Sequence, residues 1–196
     1  MAIEELIKVV PPPENPIETG PKGRWRSLCE ELETGLPSDL REFGLRYGSG
    51  QFTQAIRVFN PFAASYLHDF NRKLQILGEF VESEFDEPIQ YRLYPESPGL
   101  LPWGSDDQRN SMWWLTEGKP DQWPVVLWPD CSGPESFVRL DMSMTTFMAR
   151  AFSRQLTENP LWPDEFFIGP QARIFAPDEE PYVPVTLEFT NVYEWY

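Results

Sequence analysis

Histidine and cysteine are almost absent from this chain, which holds one histidine and two cysteines among 196 residues. Classical zinc sites are built from several cysteine and histidine ligands, so this scarcity excludes them. The two cysteines, Cys29 and Cys131, give no disulfide framework, which suits a reducing compartment. We predict that Cys29 is a small core residue on the apolar stripe of a helix.

Basic residues are scarce too, with 16 lysines and arginines against 31 aspartates and glutamates and a formal net charge of −15. Such a charge repels the phosphates of nucleic acids and of anionic membranes, so we expect neither as a direct partner. The same charge favours rapid association with a basic protein. Acidity that only keeps a protein in solution explains the balance equally well.

Long apolar runs are also missing. The first residues, MAIEELIKVVPPP, lack the apolar stretch of a signal peptide, and no segment is apolar over the length of a bilayer crossing. The sequence therefore predicts a cytoplasmic protein without a membrane segment.

The residues that could carry out chemistry form no recognisable catalytic set. His68 follows the spacing of a helix, and we expect it to face solvent rather than act as a general base. Asp130 and Glu135 surround the Cys131 thiol with negative charge, which disfavours a thiolate nucleophile. The acidic runs would serve a hydrolase only if folding held two carboxylates across a cleft. We therefore predict no catalytic residue, no metal and no cofactor.

Tryptophan, in contrast, is concentrated, because five of the eight tryptophans lie between residues 100 and 130. Two turn signals, WGSD at 103–106 and EGKPD at 117–121, interrupt this segment. Large indoles suit the face of a β-sheet, so the pattern predicts strands joined by hairpins. Trp113 and Trp114 would then lie on opposite faces. One would be core, and the other would be covered by a loop or terminal arm, or exposed as an anchor for a partner.

Hydrophobic periodicity predicts helices and strands on either side of this segment. We expect helices whose apolar stripes lie at 25–32, 40–47, 66–81 and 144–156. The third helix would begin before its stripe, at a cap formed by Asn60 and followed by Pro61, and Asp141 or Ser143 would cap the fourth. We expect strands at 51–59, 91–94, 112–116, 125–128 and 137–140. This order of elements predicts an α+β fold, with a mainly antiparallel sheet packed against helices.

The two ends of the chain differ from its middle. Residues 1–23 begin with helical apolar spacing and continue into a proline cluster, and we treat them as an N-terminal extension. Residues 24–165 form the predicted domain. Residues 166–196 form a C-terminal extension, in which alternation over 183–190 predicts a strand with one solvent-exposed face.

A series of short motifs resembles the SUKH superfamily over about residues 25–165. The motifs are LPSDLREF at 36–43, YGSG at 47–50, NPF at 60–62, LPWGS at 101–105, MWW at 112–114, PDQWPVV at 120–126 and a Phe-rich helix at 143–152. The resemblance implies a SUKH-like fold of helices packed on a mostly antiparallel sheet. Bacterial members are largely immunity proteins that bind toxins, many of them nucleases, and fungal members regulate cell-wall synthesis through protein contacts.

The resemblance and the acidity together predict a non-enzymatic protein that binds and neutralises a basic toxin domain. A scaffold or regulator of cell-wall or envelope synthesis is the alternative, and a carboxylate-dependent hydrolase is a third. The densest charges are the candidates for partner binding: Glu82, Glu84, Asp86, Glu87, Asp106 and Asp107.

Overall fold

The computed structural model describes residues 2–21, 23–65, 68–84, 89–130, 132–157, 159–168 and 174–178. The helices of this part of the chain are α1 (Ala2–Val9), α2 (Arg24–Glu31), α3 (Ser38–Tyr47), α4 (Phe70–Glu84) and α5 (Met144–Phe152). The strands are β1 (Gly50–Phe52), β2 (Ile56–Val58), β3 (Arg92–Leu93), β4 (Gly99–Ser105), β5 (Ser111–Leu115), β6 (Val125–Trp128), β7 (Val138–Leu140) and β8 (Phe175–Pro177).

These strands form a single sheet in the order β7-β6-β5-β4-β2-β1-β8, with β3 paired to β4. The β3–β4 pair is parallel, and the other pairs are antiparallel. The predicted α+β fold with a mainly antiparallel sheet is therefore confirmed. None of the helices in the described part of the chain combines the length and the apolarity that a membrane crossing requires.

Both faces of the central strand β5 are covered, and all its side chains are buried. Trp114 packs in a large core with residues of α1, α3 and α5, which we call the first face of the sheet. Trp113 packs in a smaller core with Leu77 and Val81 of α4, which we call the second face. Neither tryptophan is an exposed anchor, because the core around Trp113 contains Val81 of α4 together with Ile89, Tyr91 and Phe137 from connections between elements.

Helix α1 belongs to the main core, although the sequence places it in an N-terminal extension. Its side chains Ile3 and Leu6 are fully buried, as is Val10 just after it, and the helix packs on α3 and α5. The Tyr47 hydroxyl at the end of α3 donates a hydrogen bond of 2.6 Å to the Val10 carbonyl. The apolar spacing of the first residues is therefore the spacing of a core helix.

One carboxylate ties the start of α3 to the start of α5. Asp39 Oδ2 accepts hydrogen bonds from the backbone N–H and the hydroxyl of Thr145, both at 3.0 Å. Ser143 caps α5 by accepting from the Thr146 N–H, as one of the two predicted caps. Two of the quoted motifs, more than a hundred residues apart, thus meet in direct contact.

The predicted strand at 51–59 is wrong in one respect, because it is two short strands joined by a tight turn. Thr53 and Gln54 have φ values of 52° and 62°, and this left-handed conformation reverses the chain. The strands β1 and β2 then pair with Phe52 opposite Ile56. Phe52, Ile56 and Val58 are all an even number of residues apart, as on one face of a single strand, so the sequence pattern hides the turn.

Asn60 does not cap a helix, and the long helix begins ten residues later at Phe70. The Asn60 side chain instead accepts from the Phe62 N–H at 2.9 Å and donates to the Ser49 hydroxyl at 2.8 Å. An Asn-Pro pair suits a turn as well as a helix start, and here the turn prevails because Asn60 has a buried partner.

Part of the predicted C-terminal extension joins the sheet. Strand β8 pairs with β1, with Phe175 opposite Phe52. The predicted strand at 183–190 lies outside the described residues.

Candidate interaction surface

The densest acidic run predicted to bind a partner lies at and beyond the end of α4. Glu82 and Glu84 are in the last turn of this helix, whose backbone is described while their side chains are not. Asp86 and Glu87 lie outside the described residues. Partner binding by these four residues therefore stays a prediction, and the structure defines the surroundings of the run through its two flanks.

The described residues on both sides of the acidic run contact one of two residues at the end of the sheet, Trp128 or Phe137. Before the run, the Phe80 ring centroid is 5.8 Å from that of Trp128. After the run, the Gln90 side-chain amide donates to the Phe137 carbonyl at 3.3 Å. The rings of Trp128 and Phe137 stack on each other with centroids 5.4 Å apart. The described residues Phe80 and Gln90, on either side of the run, thus both contact the segment between the end of β6 and the start of β7.

Asp106 is a structural residue, which corrects its assignment to the partner-binding surface. It is 7% exposed and lies at the start of the turn between β4 and β5. Its Oδ1 accepts from the backbone N–H groups of Gln108 and Asn110, and its Oδ2 accepts from the Asn110 amide and the Trp162 indole. All its acceptor positions are engaged inside the protein, so the carboxylate stays buried as the centre of the turn.

Asp107, one residue later, is at the surface as predicted by its position in a turn. Its side chain is 54% exposed and lies 2.5 Å from Nη1 of Arg57, which is largely covered. Arg57 also donates to the Gln51 side chain at 3.0 Å, so the guanidinium is held in place. Asp107 therefore presents a carboxylate whose orientation is fixed but whose charge is partly balanced.

The turn carrying Asp107 meets the end of α4 through Arg109. The Arg109 guanidinium donates two hydrogen bonds of 3.0 Å to the two oxygens of Asp130. The same guanidinium lies 5.9 Å from the Phe80 ring centroid. We call this region the acidic end and define it as Asp107, Asp130 and residues 79–84.

Sequence reasoning missed the contribution of Asp130 and Arg109 to this surface. The Asp130 backbone N–H also donates a hydrogen bond of 3.0 Å to the side-chain oxygen of Asn110. This bond joins the start of the connection after β6 to the turn between β4 and β5. The sequence signal that could have revealed them is the run DDQRN at 106–110, which lies between two strand patterns. Asp and Asn in such a run organise turns through their side chains.

His68 is buried rather than solvent-facing, which corrects the expectation from helical spacing. It is 1% exposed and lies two residues before α4. Its Nε2 is 3.2 Å from a carboxylate oxygen of Asp178, whose N–H bonds the Ser49 carbonyl at 3.3 Å. The partner is more than a hundred residues away in sequence, so no local pattern reveals it. The imidazole fastens the segment that carries β8 to the main domain.

A small cavity of about 230 Å³ contains the carboxylate that best fits the hydrolase alternative. Asp39 lines it together with Glu42, Asp121, Trp114 and others. Burial raises the pKa of Asp39 above its usual 3.8, and hydrogen bonds from Thr145 offset part of this effect. The cavity is smaller than the roughly 300 Å³ of typical ligand pockets, and the carboxylate already caps α5. This geometry favours a structural role.

Metal-binding side chains are not grouped in the described ranges, where no three His, Cys, Asp or Glu residues lie close enough to hold an ion. Cys29 has a free, half-buried thiol on α2. Cys131 lies outside the described residues.

Comparison with known proteins identifies the family through the region that builds this sheet. The family model SUKH_6, described as SMI1-KNR4 cell-wall, matches residues 23–148. No curated protein and no solved structure matches the chain. The matched region holds α2 to α4, β1 to β7 and the first half of α5. The chain therefore belongs to the SMI1-KNR4 cell-wall family of the SUKH superfamily.

Proposed function

We propose that this protein is an immunity protein, which neutralises a cognate toxin by one-to-one binding and performs no catalysis of its own. The partner would be a basic toxin domain, such as a nuclease, whose cationic substrate groove is occluded by the acidic end. SUKH proteins are generally non-catalytic binding proteins, and this supports a binding rather than an enzymatic role.

The observation that carries this proposal is the net charge of −15 in a member of a binding-protein superfamily. A nuclease groove must attract phosphates, so it presents lysines and arginines that an acidic protein can cover. Complementary charge of this kind raises the rate of association and disfavours partners of the same sign.

The acidic end combines charge with a rigid support. Asp107 projects from a turn that is organised by the buried Asp106 carboxylate. On α4, Ile76 is a large apolar side chain with 43% exposure, next to the turn of helix that carries Glu79. Apolar anchors surrounded by charged groups are typical of protein interfaces. Because the turn and the helix are both held by packing, little ordering is needed on binding.

The direct test is a titration of toxin activity with the full chain. The toxins would be those encoded beside this gene, assayed on their own substrates. We expect activity to fall linearly and to vanish near one equivalent, with a one-to-one complex in size-exclusion chromatography. Toxins that stay fully active in excess of the protein would contradict the proposal.

Charge reversal tests the role of the acidic end. Changing Glu82 and Glu84 to Lys should lower the association rate by about tenfold and reduce its dependence on salt. The matched control changes Glu30 and Glu31, two exposed glutamates on α2, to Lys. Equal slowing in both variants would show that net charge alone matters, and it would remove the acidic end as the binding surface.

Regulation of cell-wall or envelope synthesis is the second candidate, and the description of the matched family as cell-wall proteins favours it. It requires a stable partner among proteins of envelope synthesis and no toxin gene nearby. Crosslinking in cells followed by mass spectrometry separates the two functions, because an immunity protein would crosslink chiefly to the toxin.

A further inference from the structure

A groove of about 520 Å³ opens between α2 and α3, away from the residues of the acidic end. Trp25 and Cys29 lie four residues apart on α2, and Arg41 and Leu45 lie four residues apart on α3. Side chains at this spacing share one face of a helix, so each helix gives one wall. Leu36 lines the groove from the connection between them. The volume is within the range of pockets that bind small molecules.

The charge of this groove is opposite to that of the protein as a whole. Among the described residues that line it, Arg26 of α2 and Arg41 of α3 carry charge and none is acidic. Within the described part of the chain, neither arginine forms an ion pair, whereas Arg57, Arg109 and Arg139 each have a carboxylate partner. Two exposed guanidinium groups thus flank an apolar space in a chain of net charge −15.

The aromatic wall of the groove is held in place from behind. The Trp25 ring meets Phe62 edge to face, with centroids 4.9 Å apart and planes at 83°. It also rests on the backbone of α3, where a Cβ at Gly44 would lie 3.0 Å from the indole. Its buried indole N–H has no acceptor among the described residues. The groove is therefore lined by a fixed ring and by two guanidinium groups.

We propose that this groove is a binding site for a small organic anion, with an aromatic or aliphatic body and one carboxylate, sulfonate or phosphate group. The body would lie against Trp25 and Leu45, whose side chain is 48% exposed. The anionic group would accept hydrogen bonds from Arg26 and Arg41, since guanidinium donors match the geometry of such groups. This site does not depend on the proposed binding of a toxin, because it carries the opposite charge.

The test uses 8-anilinonaphthalene-1-sulfonate as the probe and the full chain as the protein. We expect saturable one-to-one binding by fluorescence titration, and binding at least about tenfold weaker for N-phenyl-1-naphthylamine, which has the same rings without the sulfonate. The double change Arg26→Gln and Arg41→Gln should weaken sulfonate binding by about tenfold. The matched control is Arg150→Gln, an exposed arginine on α5 outside the groove, and it should bind as the parent does.

Cys29 reports whether the probe occupies this groove. In a Cys131→Ser background, alkylation of Cys29 by neutral iodoacetamide should slow as the sulfonate saturates the protein, and the double arginine variant should lose this protection at the same concentration. Unaltered melting temperatures would show that the variants fold.

Three results would overturn the proposal: equal binding of both probes, equal binding by the arginine variant, or saturation without protection of Cys29. An acidic peptide such as acetyl-Glu-Glu-Leu-Phe-Glu that displaces the sulfonate more effectively than 1-naphthalenesulfonate does would also overturn it, and would assign the groove to a protein partner.

Discussion

The two faces of the sheet are covered by different kinds of contact. The first face is covered by α1, α3 and α5, which come from both ends of the chain. The second face is covered by the later part of α4, which lies between β2 and β3 in sequence, together with Ile89, Tyr91 and Phe137 from connecting segments. The first face thus depends on helices that are distant in sequence, including the start of α4 through Phe70, and the second depends on the end of α4 and the segments near it.

This difference suggests that the first face mainly stabilises the fold, whereas the outside of α4 is available for binding. On the first face, hydrogen bonds join distant segments, such as Asp39 with Thr145 and Asp106 with Trp162. On the second face, α4 leaves Ile76 exposed and ends in the acidic run. A change in the first face is expected to affect stability, and a change on the outside of α4 is expected to affect binding.

The largest effect on the free energy of unfolding should come from shortening a buried side chain of α1, which packs on the first face and lies outside the region matched by the family model. Leu6→Ala removes a fully buried side chain from between α1 and its neighbours, and we expect a loss of about 3 kcal/mol in the free energy of unfolding. The same truncation in α4, Leu77→Ala, removes a half-buried side chain that packs against both cores and should cost about 1 kcal/mol. Urea denaturation of both variants measures the contrast. A larger loss for Leu77→Ala would show that α4 contributes more to stability than α1 does.

A smaller effect should distinguish two adjacent carboxylates. Asp106→Asn places an N–H₂ group where the carboxylate accepts four hydrogen bonds, so at least one donor faces another donor, and we expect a loss of about 2 kcal/mol. Asp107→Asn affects an exposed ion pair with Arg57 and should cost less than about 1 kcal/mol. Thermal and urea unfolding provide the comparison. Equal losses would show that Asp106 is not the centre of the turn.

The smallest effect should appear in the pH dependence of stability at Asp39. Because burial raises the pKa of this carboxyl above 3.8, the folded state holds the proton more tightly than the unfolded state. Its contribution to stability therefore falls as the pH rises from about 4 through the raised pKa, and it is constant above that value. Asp39→Asn keeps an oxygen for Thr145 and removes the charge, so its stability relative to the parent should increase over the same window.

Urea titrations of both proteins at several pH values, with Asp121→Asn as a control, measure this trend. The pKa of Asp121 is lowered by the Ser38 backbone N–H, so that variant should lose stability relative to the parent as the pH rises through the window below 3.8. A pH-independent difference between Asp39→Asn and the parent would contradict the assignment of a buried, destabilised charge to Asp39.

Much of the fold could be predicted from periodicity. The stripes of α2, α3 and α5 and the runs of β5 and β6 matched the structure within a few residues, because each buries a face that its own spacing defines. The reversal at Thr53 and Gln54 could not be predicted, since neither residue is a common choice for a left-handed turn. The start of α4 was also misplaced, because Asn60 satisfies its side chain through Ser49 instead of a helix end.

The candidate surface was harder to predict than the fold. Asp106 and Asp107 are neighbours of identical chemistry, yet one is buried by Trp162 and the other is exposed. His68 looked like an exposed helix residue because its partner, Asp178, is distant in the sequence. Local patterns report which face of an element is apolar, but they do not report which distant donor reaches a carboxylate.

The sequence by itself determined the fold class, the family and the strongly acidic character, since these follow from apolar spacing, motif order and composition. Only the tertiary structure decided which charges stay at the surface, which face α4 covers, and that two arginines lie in one groove. The physical reason is the distance along the sequence over which each kind of contact forms. Secondary structure follows from neighbours a few residues apart, whereas burial and pairing of a polar side chain depend on segments that meet only after the chain has folded.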